Sequence, residues 1–167
     1  MRSSARALGH AIHPMLIVFP LGLLSTAVVF DILHLFTNRA GFQVAAAYMI
    51  GAGVLGGLVA GVFGFADWLG IPPGTRARRV GAVHGLGNVV VLVLFAVSWL
   101  LRADSADWAA TGVALGLSFA GAVLSVLTGW LGGELVQRHG VSVDDDASLD
   151  ATSTLASRPG GGRPRQV

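Results

Sequence analysis

Five histidines (His10, His13, His34, His84 and His139) stand out in a chain that is otherwise largely apolar. Imidazole is the side chain best suited to moving a proton or holding a metal ion near neutral pH. Alongside them stand Asp31, Asp67, Glu134 and the amide of Asn88. His13-Pro14 precedes an apolar run over residues 16–36, in which only Ser25, Thr26, Asp31 and His34 are polar. A run of that length is a membrane-span candidate. Ionisable groups inside one are costly, and each is therefore a functional-site hypothesis.

The elements that must position these residues are four apolar segments, at residues 15–36, 44–69, 80–101 and 109–133. Each approaches the ~20 residues that a bilayer core requires. Their connections, 37–43, 70–79 and 102–108, are short, so successive spans run antiparallel. Period-2 alternation is absent, which leaves helices as the spanning structure. The expected fold is all-α, an integral membrane up-down-up-down four-helix bundle over residues 1–143. A disordered cytoplasmic tail, 144–167, is rich in Asp, Ser, Thr, Gly and Arg.

Composition agrees. The 167 residues are 53% hydrophobic and 12% charged, and a mean hydropathy of +0.70 points the same way. There is no cysteine, so disulfides, thiolate zinc sites and iron–sulfur ligation within the chain are excluded. All eleven basic residues are arginine. They cluster at span ends and in the tail instead of along one polar face, which argues against nucleic acid. Arg2 and Arg6 precede the first apolar run as in a signal peptide, but the run is too long and lacks a cleavage site, so it reads as a retained span.

Arg2, Arg6, Arg76, Arg78, Arg79 and Arg138 fall on one side, and Arg39 and Arg102 on the other. Positive charge stays cytoplasmic, so both termini are expected inside a bacterial inner membrane. Trp68, Trp99, Trp108 and Trp130 mark span ends as interfacial anchors. Gly53, Gly57, Gly61 and Gly64 share a face of the second span, and Gly112/Gly116 and Gly121/Ser125/Gly129 recur in the fourth. Such spacing lets helices approach closely, here mainly within one chain. Pro20 lies inside the first span, where it removes a bond to the Leu16 carbonyl and should kink the helix.

Placed on this topology, His10, His13, Asp67, His84, Asn88, Thr128, Glu134 and His139 gather at the cytoplasmic end. Asp31 and His34, three residues apart, share a helix surface at the outer end. Asp31 is expected to pair with His34 or with Arg102. Three readings of the inner cluster compete. One is structural, with polar groups that reach water or specify packing. The second is haem b, with His13 and His84 as axial ligands on spans of the same direction and Arg79 meeting a propionate. The third is a metal or proton site using Asp67, His84 and Glu134, although the Glu-x-x-His repeat of di-metal bundles is missing. No catalytic nucleophile with its base, phosphate loop or dinucleotide fingerprint occurs, and the reading leans against an enzyme as an isolated chain.

His13-Pro14, Phe19-Pro20, Asp31, Arg79 with His84 and Asn88, and the stretch from Trp130 through Gly133, Glu134 and Arg138 to Gly140 carry a resemblance. Over residues 10–143 the chain resembles the bacterial membrane-protein family called domain of unknown function 2231. The resemblance implies four spans and no established activity. Some members of that family carry or neighbour a Rieske-type iron–sulfur domain, which implies electron transfer with a separate redox partner. Gln137 stands where many members have tyrosine, and the tail here offers no cysteine. The functional expectation is a redox-associated membrane module that binds haem b or relays electrons or protons. The alternative is a non-enzymatic scaffold whose polar cluster specifies packing and partner docking.

Overall fold

A computed structural model describes residues 3–154 and 156. Arg2 and the arginine-rich end of the expected tail lie outside the described residues. The chain opens with a small antiparallel hairpin, β1 (Arg6–Ala7) and β2 (His10–Ala11). Helices follow: α1 (Ile12–Leu16), α2 (Val18–Thr37), α3 (Ala40–Leu69), α4 (Arg76–Ala103) and α5 (Gly112–Gln137). Together α1 and α2 make one span, Ile12–Thr37, so the molecule has four helices long and apolar enough to cross a membrane. At 30 residues, α3 reaches about 45 Å, more than a bilayer core.

Local chemistry explains where these elements begin and end. Thr75 and Thr111 cap α4 and α5, their hydroxyls accepting from the N–H of Arg78 and Ala114, both at 3.2 Å. Asn38 ends α2 in the left-handed region at φ 52°, a conformation asparagine tolerates. The α1–α2 junction at Ile17 lies just ahead of Pro20, where the lost N–H was expected to kink the span. At the end of α3, Arg78 donates to the carbonyls of Trp68, Leu69 and Ile71 at 3.0, 3.0 and 2.7 Å. Its guanidinium also stacks on the Trp68 ring at 3.9 Å. Arg78 is therefore a helix clamp and not a loose loop charge.

Packing divides the bundle into two hairpins. α2 lies chiefly against α3 and α4 against α5; the hairpins join along α3 and α4 and touch more lightly between α2 and α5. The core between them is Leu24, Ala27, Ala46, Ile50, Val91 and Phe95. A second cluster, Ile71, Leu135 and Val141, closes the end at which α1 starts and α5 finishes, here called the proximal end. Around the outside, Val62, Leu86, Val123 and Val126 are exposed. In water that apolar belt would be a liability; against lipid it is the expected surface.

Past Val143 the chain continues in turns and returns to the N-terminal hairpin. Arg6 pairs with Asp144 at 2.6 Å, a contact that raises the guanidinium above its ordinary pKa through the hydrogen bond to the carboxylate. The β1–β2 corner is turned by Leu8 and Gly9, both at positive φ, with Thr154 seated against Gly9.

Candidate functional site

The two span histidines are held alike, one in each hairpin. His13, in α1, places its Nδ1 2.8 Å from the carbonyl of Ala60 in α3. His84, in α4, places its Nδ1 2.8 Å from the carbonyl of Thr128 in α5. A carbonyl only accepts, so in the neutral ring Nδ1 carries the proton and Nε2 the lone pair. Each ring rests on a glycine. A Cβ on Gly64 would come within 2.8 Å of His13, and one on Gly132 within 3.1 Å of His84. Asn88 completes the second seat. It donates to the His84 carbonyl at 2.9 Å and accepts from the Thr128 hydroxyl at 3.1 Å. Its amide nitrogen lies 3.4 and 3.3 Å from the two ring nitrogens. Nearly equidistant from both, it lies along the lone pair of neither.

The remaining proximal residues are placed elsewhere. Buried Asp67 is taken by the N-terminal segment: its Oδ1 accepts from the Ser3 hydroxyl at 2.6 Å and from the N–H groups of Ser4 and Ala5 at 2.8 and 3.2 Å. Among the described residues its Oδ2 is sealed without a partner, as is Nε2 of His139. His10 is exposed on the hairpin, near the Leu8 carbonyl at 3.2 Å. The half-buried Glu134 side chain makes no hydrogen bond or ion pair among the described residues. Arg79 is exposed and lines an outer groove with Val80, Val83 and Leu131, about 140° around α4 from His84. His13, Asp67, His84 and Glu134 thus do not converge. Among the described residues no three His, Asp or Glu side chains form a metal-holding group.

At the distal end Asp31 takes Arg102, of the two partners considered for it. The contact is bidentate at 2.6 and 2.7 Å, with both side chains essentially inaccessible. His34 is half-buried and meets the Arg39 carbonyl at 3.1 Å. Arg102 also donates to Ser118 at 3.0 Å and Ser98 at 3.2 Å, and the Ser98 hydroxyl donates to the Ala114 carbonyl at 2.7 Å. Desolvating two charges is tolerable only when their remaining donors and lone pairs are satisfied. Here the fork-to-fork pair and two hydroxyls do that.

A family model described as "Predicted membrane protein (DUF2231)" matches residues 9–145, which takes in the entire bundle and both polar sites. The chain belongs to the DUF2231 family. Comparison with curated proteins and with solved structures returned no match. In this DUF2231 chain the proximal imidazoles are the chemically competent feature: two anchored rings, each with a basic nitrogen aimed away from its anchor. The distal pair is chemically spent, since every strong donor and acceptor in it is used.

Sequence reasoning missed Ser3, Ser98 and Ser118 as partners in these sites. For Ser98 a signal existed: it lies four residues before Arg102 and so on the same helix face. For Ser3 there was none, because its partner Asp67 is 64 residues away. Main-chain carbonyls, not carboxylates, orient the DUF2231 histidines, and a sequence shows no side chain for that role.

Proposed function

We propose that this protein is a redox-associated module of the bacterial inner membrane, with its working site at His13 and His84. The observation that supports this is the matched anchoring of the two rings. Each Nδ1–H is held by a carbonyl of a neighbouring helix, the arrangement that fixes the tautomer and orientation of a metal-ligating histidine. The donor chemistry fits haem b, which His13 and His84 would hold through their Nε2 atoms. Bound there, haem would supply one-electron transfer. The chain's own part is to hold both rings, through Ala60 and Thr128, and to keep His84 in place through Asn88. Arg79, on the outer groove, contributes positive charge at the same end. A separate redox protein, which on the family resemblance carries an iron–sulfur centre, would exchange the electron.

A second reading, a non-enzymatic scaffold, is favoured by the glycine contacts. The gaps at Gly57, Gly64, Gly87 and Gly132 are filled by Leu92, His13, Thr128 and His84, which is close packing in its own right. Substitution separates the two. On the haem reading, His13→Ala or His84→Ala expressed with haem supplementation abolishes bound haem while the protein still inserts and extracts as wild type. If wild type and both variants carry equal haem, or none, the scaffold reading takes its place.

A further inference from the structure

The partners of five arginines decide what the proximal end can bind. Arg6 is committed to Asp144 and Arg102 to Asp31. Arg78 is committed to three carbonyls and the Trp68 ring. Arg76 and Arg79 have no carboxylate partner among the described residues. Three residues apart, they share the first turn of α4 and one face of it. Beneath them runs a groove of about 400 Å³ lined by Val80, Val83 and Leu131, between α4 and α5. The site has a cationic mouth over an apolar floor, at the depth where a span leaves the hydrocarbon.

We propose that Arg76 and Arg79 with the Val80–Val83–Leu131 groove form a binding site for an anionic phospholipid, the arginines taking its phosphate-bearing headgroup and the groove one acyl chain. Charge complementarity selects this occupant. Two uncompensated guanidiniums favour an acidic headgroup over a zwitterionic one, and basic recesses between spans are suited to such lipids. The N-terminus of α4, carrying its share of positive helix dipole, reinforces the choice. An apolar floor suits a lipid chain and gives a free inorganic anion nothing to hold. The inference stands apart from the histidine site and does not depend on haem.

The test is lipid retention by the full-length protein. Purified protein is reconstituted in nanodiscs of phosphatidylcholine containing a minority of phosphatidylglycerol, then examined by native mass spectrometry after transfer to detergent. Wild type should retain phosphatidylglycerol in clear preference to phosphatidylcholine. The double variant Arg76→Gln/Arg79→Gln should lose roughly tenfold or more in that preference, at ~1 kcal/mol per arginine. Arg138→Gln, another exposed arginine at the proximal end, is the control and should leave retention unchanged. Equal retention of both lipids by wild type overturns the proposal. So does an Arg138→Gln loss as large as that of the double variant, which would show diffuse attraction instead of a site. Both arginines are exposed and outside the core, and a melting curve on each variant separates lost binding from lost folding.

Discussion

Asp31 and Arg102 show how an ion pair survives in the interior of a membrane bundle. Neither could stay charged alone there, and together they are held by Ser98 and Ser118. Removing one partner should therefore cost more than removing both. Asp31→Asn strands a buried guanidinium and is expected to destabilise the protein by about 3–5 kcal/mol. Asp31→Leu with Arg102→Met should recover most of that. Thermal melting in detergent checks both, and a double variant no better than the single would contradict the account. Neither change should disturb His13 or His84, which belong to the other end. The histidines follow a different logic: their anchors are carbonyls, so what a substitution removes is a hydrogen bond between helices and not a charge.

At the scale of helices, glycine acts where it meets a partner and is idle where it does not. A Cβ on Gly121 would come within 2.8 Å of the Phe95 ring, buried in the core, whereas one on Gly116 would meet nothing within 4 Å. Gly121→Ala should then destabilise by about 1–3 kcal/mol through overpacking. Gly116→Ala, on the same helix, should be neutral or stabilise by up to about 1 kcal/mol. Parallel unfolding curves decide it, and equal effects would mean that packing is not what these glycines serve. The contrast also marks how far the sequence could be read. Four spans and their order follow from local composition and were legible. Asp31–Arg102 was legible because both sit near the C-terminal ends of α2 and α4, spans that run in the same direction. The N-terminal hairpin was not: two residues per strand carry no alternation, and its corner uses Leu8 at positive φ, a residue that seldom marks a turn. Nor were the seats of His13 and His84, because which glycine faces which ring depends on helix rotation, and apolar-all-round helices do not reveal that.

For the whole molecule, the two hairpins give the protein two ends of different character. The distal end is locked by a satisfied ion pair. The proximal end carries the start of α1, the end of α5, the anchored imidazoles and two arginines with no carboxylate partner among the described residues. Because Arg102 is neutralised inside the bundle, Arg39 is left as the one distal arginine set against Arg76, Arg78, Arg79 and Arg138. That widens the asymmetry from which a cytoplasmic proximal end is expected. Reporter fusions after Arg138 and in the Pro72–Pro73 loop should read cytoplasmic, and fusions at Asn38 or Ser105 periplasmic; the reverse pattern would invert the orientation.

The most direct test of the central claim is the visible absorption spectrum of the full-length protein, purified from haem-replete cells and recorded before and after dithionite. Bis-imidazole ligation through His13 and His84 predicts a sharp reduced-state α-band that is missing from the His84→Ala protein. A colourless wild-type preparation that stays so after haem reconstitution would contradict it.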